Sequence, residues 1–184
     1  MSTLKVNQIE NRTGTGDITL PTGNRIVAAD AEAFSQPYFS GQVIQIQANR
    51  AYASGHITST STSFTNLPLT IDITVKDASS SIEVIFYSDM QYGAANILTT
   101  DLRYSIDAGS TYTDLTPNPT YSYYWMYNAI GWQPAQNRFL HTHGQSVGTT
   151  IRYQLRYMNW SSTATNYLVH STMGYGWHVT EIAG

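Results

Sequence analysis

The chain has 184 residues and a mass of 20.5 kDa, which suits one ordinary domain with an appendage. Only 11% of the residues are charged and the formal net charge is -3, which argues against a nucleic-acid partner, because such a partner calls for a basic patch. No apolar run is long enough to span a membrane, so we expect no membrane insertion. The opening residues lack an apolar signal-peptide core. Cysteine is absent, which excludes disulfides, a thiol nucleophile and a cysteine-based zinc site.

The composition favours strands over helices. The chain has 18 Ser, 24 Thr and 14 Tyr, whereas strong helix formers are scarce. Because the polar groups are mostly uncharged, such a surface can be buried against an identical copy at low desolvation cost. We therefore expect the chain to form a homo-oligomer.

Residues 1–41 differ from the rest and predict a short, extended N-terminal β arm with a linker. Short apolar pieces alternate there with Gly, Thr, Asn and Pro turn signals. Each piece is too short to fold alone, so the arm is predicted to dock on other copies or on a larger assembly. The candidate attachment residues are Leu4, Val6, Ile9, Ile18, Leu20 and Ile26.

Residues 42–184 predict a domain of successive short strands with turns between them. No convincing ten-residue helix occurs, and the expectation is an all-β fold, an antiparallel β-sandwich of the jelly-roll type. The predicted strands are 42–48, 57–65, 69–75, 82–87, 102–107, 112–115, 138–143, 151–158, 166–171 and 175–182.

The alternation within these strands predicts which faces are buried. In 42–48 the apolar face carries Ile44, Ile46 and Ala48. In 69–75 and 151–158 every second residue is Leu, Ile, Val or Tyr. The denser run 82–87 predicts a strand buried on both faces.

Two stretches of the chain resemble small structural proteins of marine tailed bacteriophages. The opening STLKVNQIEN…GTGDITLPTGNRIVAAD is similar to their N-terminal module, and TSTSFTNLPLTIDITVKDASSSIEVIFYSDMQYG is similar to their body. The closing TEIAG resembles their last strand, whereas residues 110–170 are individual to this chain. The resemblance implies a virion fibre, tail-fibre or capsid-decoration protein with a trimeric jelly roll like that of tumour necrosis factor. It also implies localisation in the virion, after assembly in the host cytoplasm.

The ionisable residues do not predict catalysis. The acids of the domain are isolated from one another and several flank turns, where Asp bonds its own backbone. No nucleophile-elbow, zinc-protease, phosphate-loop or dinucleotide motif occurs. We expect a protein that is not an enzyme and uses no cofactor.

His141 and His143 are weak candidates for a metal site. Residues i and i+2 of a strand share a face, so both imidazoles point to one side, and three such pairs could meet near a trimer axis. The alternative is a pair of histidines hydrogen-bonded to the backbone. The prediction is no metal.

Segment 121–132 is the most distinctive part of the chain. Its aromatic side chains, presented on a long connection, suit either recognition of a glycan or protein partner or packing at a trimer interface. The two roles stay open. The candidate residues are Tyr121, Tyr123, Tyr124, Trp125, Tyr127 and Trp132.

Together these features predict a bacteriophage virion structural protein that forms a homotrimeric head or tail fibre or spike. The arm would anchor it to other virion proteins of the capsid or tail, and the distal loops would adhere to a host cell-surface glycan. Many weak sites on one particle would supply avidity. The alternatives are a capsid decoration or cement protein without a receptor role, and a free bacterial carbohydrate-binding module.

Overall fold

The regular elements of the described residues are all β-strands. The computed structural model describes residues 39–91, 98–115, 124–125, 132–159, 165–172 and 174–184. The strands are β1 (Val43–Tyr52), β2 (Ile57–Ser59), β3 (Thr65–Thr74), β4 (Ser81–Met90), β5 (Leu98–Ser105), β6 (Thr113–Asp114), β7 (Tyr124–Trp125), β8 (Gln133–Thr142), β9 (Thr150–Asn159), β10 (Asn166–Val169) and β11 (Gly174–Ile182). Over the described part of the chain, no helix is long and apolar enough to cross a membrane.

Strands early in the described sequence pair with strands late in it, and strands nearer the middle pair with each other. β1 pairs with β11, β3 with β9, β4 with β8, and β5 with both β6 and β7, all antiparallel. The result is one sheet in the order β1-β11-β4-β8 and a second in the order β3-β9-β5-β6, with β2 and β10 as a small separate pair. Nested pairing of first with last strands across two sheets is the jelly-roll topology, so the predicted fold class is confirmed.

The core lies between the two sheets and follows the predicted alternation in most strands. Ile71, Ile73 and Val75 are buried on one side of β3 and its extension, and Ile151, Tyr153 and Leu155 are buried on β9. Strand β4 alternates strictly between buried and half-buried residues, so the prediction that 82–87 is buried on both faces is wrong.

Strand β1 is the exception, because its apolar side faces outward. Ile46 is 53% exposed, whereas Gln45 and Asn49 turn inward. Gln45 Nε2 donates to the Glu181 carboxylate over 2.5 Å, and Asn49 Nδ2 donates to the Thr70 carbonyl over 2.7 Å. The buried Glu181 carboxylate requires hydrogen-bond donors. Gln45 supplies one, although the apolar–polar alternation of β1 predicts that its side chain faces solvent.

Two predicted elements differ in detail from the observed ones. The predicted strand 57–65 divides, because Ser61 and Ser63 donate their backbone amides to the hydroxyls two residues earlier and so form turns between β2 and β3. Segment 121–132 is not wholly a connection, since Tyr124–Trp125 pairs with β5. The predicted strand at 112–115 is present as the shorter β6, which pairs with β5.

The described residues all belong to one unit, Tyr38–Gly184. Residues 1–38 lie outside the description, so the N-terminal arm and the domain boundary after residue 41 stay predictions.

Candidate functional site

The outer side of the sheet β1-β11-β4-β8, called the front face below, is rich in uncharged side chains. Cross-strand register places Ile46, Thr180, Glu83 and Leu140 in one row across it. The next row consists of Ala48, His178, Ile85 and Arg138. Exposed large apolar side chains line both edge strands, namely Val43 (50% exposed), Ile46 (53%), Tyr52 (67%) and Leu140 (56%).

Charge on the front face is sparse and partly paired. Arg138 Nε donates to Glu83 Oε1 over 2.7 Å. The other Asp, Glu, Lys or Arg side chains of this face are Arg50 and Asp89, both towards the end of the sheet where β1 finishes. A face of this kind loses little hydration energy when another surface covers it.

The outer side of the opposite sheet, called the back face, is built differently. Arg152 binds Asp72 through two bonds of 2.8 Å, and Arg156 binds Asp101 and Asp114 at 2.7 Å each. Two arginines of this face also lie over aromatic rings. Arg156 lies 4.3 Å from the centroid of Phe64, and Arg103 lies 4.2 Å from that of Tyr112. The back face is therefore a network of satisfied charges within one chain.

The front face has a depression that Gly174 of β11 helps to line. It has a volume of about 650 Å³, and Ile85, Tyr87, Gln136 and His178 are among its walls. A Cβ at Gly176 would lie 2.2 Å from the Asn49 carbonyl oxygen and 2.7 Å from the Tyr87 hydroxyl. A Cβ at Gly174 would meet the Arg50 side chain. Glycine is required here because neighbouring groups approach the backbone too closely for a side chain.

Four rings form a cluster beside the small sheet of β2 and β10. The ring cluster consists of His56, Trp132, Tyr167 and His170. His56 stacks on Trp132 with centroids 5.4 Å apart, and its centroid lies 5.0 Å from that of His170 and 5.3 Å from that of Tyr167. Trp132, one of the candidate residues of segment 121–132, is thus in contact with three other rings.

Most of the other predicted site residues lie outside the residues that the structure describes. Tyr121, Tyr123 and Tyr127 belong to undescribed segments, and for Tyr124 and Trp125 only the backbone pairing with β5 is described. The arm residues likewise lie outside the described ranges; they are Leu4, Val6, Ile9, Ile18, Leu20 and Ile26.

His141 and His143 lie in the interior of their own domain. They are 7% and 5% exposed, with ring centroids 6.3 Å apart. His141 Nδ1 lies 2.8 Å from the Tyr153 hydroxyl, and His143 Nδ1 accepts the Gln145 amide over 2.9 Å. Burial, followed by the charge of His143, lowers the pKa of His141 to about 4. The suggested meeting of these imidazoles at a trimer axis is therefore wrong, because both face inward.

A buried polar network surrounds the second of these histidines. Ser80 Oγ lies 3.0 Å from His143 Nε2 and donates to Glu181 Oε1 over 2.7 Å. The Glu181 carboxylate also accepts the backbone amides of Lys76 and Asp77, each over 2.9 Å. The serine hydroxyl thus bonds the acid directly, whereas in a hydrolytic triad the imidazole stands between them. Over the described residues, no group of three or more His, Cys, Asp or Glu is placed to hold a metal ion.

Sequence reasoning missed the front face and the ring cluster. The alternation in β1 did mark Ile46 and Ala48 as one apolar side, but it assigned that side to the core. The members of the ring cluster come from widely separated parts of the chain, so no local pattern could bring them together.

Comparison with known proteins gives little to set beside this geometry. No protein-family model matches the chain, and no curated protein matches its sequence. A structural match is found to a chain in the structure of infectious bursal disease virus Gx strain, with 12% sequence identity and a TM-score of 0.37. The match covers 88% of this chain, and the chain spans 38% of the length of its neighbour.

Proposed function

We propose that this chain is a structural subunit of a bacteriophage virion and that it assembles as a homotrimer through the front face. The observation that carries the proposal is the inversion of β1, which presents Ile46 outward while Gln45 and Asn49 turn inward. An apolar edge strand exposed in this way is an aggregation hazard unless a partner covers it.

The size of the front face fits a contact between copies. Four strands about 4.8 Å apart and ten residues long, at about 3.4 Å per residue, cover on the order of 600 Å². A standard interface buries about 800 Å² per partner, so the front face supplies most of one such contact. The back face offers fewer free charges to a partner, because its arginines already bind aspartates of the same chain.

The trimeric state and the virion setting rest on the resemblance of residues 1–41 and 42–90 to phage structural proteins. In this proposal, residues 1–41 attach the trimer to the capsid or tail, and the far end of the sandwich is free to adhere to host glycans. The jelly-roll topology and the neutral front face support the proposal.

Light scattering of three proteins tests the assembly. The native chain should give a mass of about three times 20.5 kDa. Ile46→Arg should reduce that mass to the monomer, because burying an unpaired guanidinium is costly. Ile106→Arg is the matched control, since Ile106 is 52% exposed but lies beyond the end of β5, away from the front face. A native monomer, or a trimer that tolerates Ile46→Arg, would contradict the proposal.

The virion setting has a separate test. Mass spectrometry of particles purified from the source culture should find peptides of this chain in a fixed ratio to the capsid protein. A chain found only outside the particles would instead favour the free carbohydrate-binding module.

A further inference from the structure

We propose that a cleft at the end of β1 binds a neutral saccharide. The cleft, called the Tyr52 cleft below, has a volume of about 400 Å³. Its lining residues are Tyr52, Ala53, Ser54, Gly55, His56, Ile57 and Tyr175. This site would be one at which the protein adheres to host glycans, as in the proposed function. The inference rests on the proposed function only for the source of the sugar, a host surface glycan.

The chemistry of the lining selects an uncharged ligand with both apolar and hydroxylated sides. Tyr52 offers exposed ring surface with a polar tip, Ser54 adds a hydroxyl, and the buried Tyr175 also lines the cleft. The lining contains no Asp, Glu, Lys or Arg. A sugar ring matches this set, since its C–H face packs on aromatic rings while its hydroxyls exchange hydrogen bonds with small polar groups. The volume lies at the lower end of the range for ligand pockets, which suits one or two sugar rings.

The imidazole of His56 is held in one orientation and one tautomer. Its Nδ1 accepts the Ser171 backbone amide over 3.1 Å, so the neutral ring carries its proton on Nε2. Trp132 stacks on this ring, and Tyr167 and His170 contact it edge-on. His170 is itself fixed, because its Nδ1 accepts the Thr172 amide over 3.1 Å. The ring cluster therefore holds a ready hydrogen-bond donor at the wall of the cleft.

The same tautomer argues against a metal ion as the occupant. A neutral imidazole ligates a metal through its unprotonated nitrogen, and in both His56 and His170 that nitrogen is already engaged with a backbone amide. The described contacts thus favour a donor role for His56 over a ligand role.

Tyr52 is the exposed wall of the cleft. It is 67% exposed, with the Arg50 guanidinium carbon 4.8 Å from its ring centroid. Tyr52 is the last residue of β1, four positions after Ala48, and it lies at the rim of the front face. Its ring can therefore be changed without disturbing the core.

The test is saturation-transfer NMR of the full chain with D-galactose, D-mannose, N-acetyl-D-glucosamine and N-acetylneuraminic acid as separate probes. At least one neutral sugar should receive saturation, and its affinity should fall about tenfold or more in Tyr52→Ala and in His56→Ala, which corresponds to loss of one or two good contacts. Phe39→Ala is the matched control, because Phe39 is an aromatic residue 75% exposed outside the cleft, and it should bind like the native chain.

Light scattering on the same samples separates this inference from the proposed assembly. Binding lost in both cleft variants at unchanged mass supports the cleft. Saturation of no neutral sugar, binding of N-acetylneuraminic acid alone, or full affinity in both variants overturns it, whatever the oligomeric mass. If Tyr52→Ala changes the mass, His56→Ala alone decides.

Discussion

The hydroxyl of Ser80 donates to Glu181 Oε1 over 2.7 Å, in a site where Glu181 itself is fully buried. Burial alone would raise the pKa of Glu181, but hydrogen bonds from Gln45, Ser80 and the backbone amides of Asp77 and Lys76 outweigh it and hold the pKa below its usual range. This carboxylate ties the β3–β4 turn to strands β1 and β11 without a cationic partner among the bonds described.

Glu181→Gln should therefore destabilise the fold. The substitution removes charge-assisted bonds and turns an amide donor towards other donors, at a cost of about 3 kcal/mol in the free energy of unfolding. Chemical denaturation measures this. Glu83→Gln is the control, because its partner Arg138 is exposed and the expected loss is about 1 kcal/mol or less. Equal losses in the two variants would contradict the account of Glu181.

Stability should fall on acidification below pH 6.5, with His141 as one cause. The pKa of His141 is lowered to about 4, so the unfolded chain takes up a proton in this range before the folded chain does. The free energy of unfolding must then decrease as the pH falls from about 6.5 to about 4. The contribution of one such group is about 1.4 kcal/mol per pH unit over that window.

His141→Gln should flatten this dependence, because the amide oxygen can still accept from the Tyr153 hydroxyl but does not titrate. The slope does not vanish, since burial also lowers the pKa of His143. Denaturation at a series of pH values measures the slope. An unaltered slope in His141→Gln would refute the assignment.

The two arginines of β9 should differ in their effect on stability. Asp101 is 1% exposed beside Arg156, so Arg156→Met leaves a buried carboxylate without its guanidinium and should cost about 3–5 kcal/mol. The pair of Arg152 with Asp72 is far more exposed, and Arg152→Met should cost about 1 kcal/mol or less. Thermal or chemical unfolding distinguishes them, and a reversed order of the two losses would be decisive against this reading of the back face.

Gly176→Ala should destabilise the front sheet by about 1–3 kcal/mol, as overpacking usually does. The new Cβ would meet the Asn49 carbonyl oxygen at 2.2 Å, which forces β1 and β11 apart. Gly55→Ala is the comparison, because a Cβ there has no described heavy atom within 4 Å. Denaturation of both variants checks the difference. Similar stabilities would show that the sheet adapts without cost.

Local pattern was enough to predict the fold class, and it failed where distant residues decide. Strands β3 and β9 bury the residues that alternation marks, because each strand has one side towards the core. In β1 the buried Glu181, which lies 136 positions from Gln45, draws polar side chains inward and leaves Ile46 outside. No window of sequence around Ile46 contains that information.

The candidate site was harder to predict for the same reason. Aromatic richness drew attention to segment 121–132, and Trp132 lies in a ring cluster. Its partners His56, Tyr167 and His170 follow no spacing that links them to it. They meet through the topology, because β2 pairs with β10 and the register sets Ile57 opposite Val169.

The position of β11 between β1 and β4 sets the order in which the chain can fold. Among the described strands, β1 pairs with β11 alone, so during translation this pairing must wait until β11 has been synthesised. Ile46 and Val43 are then accessible on a strand that lacks its partner, which is the situation that chaperones relieve. The ribosome-bound chain is thus the stage at which this protein is most exposed to misassembly, and completion of β11 ends it.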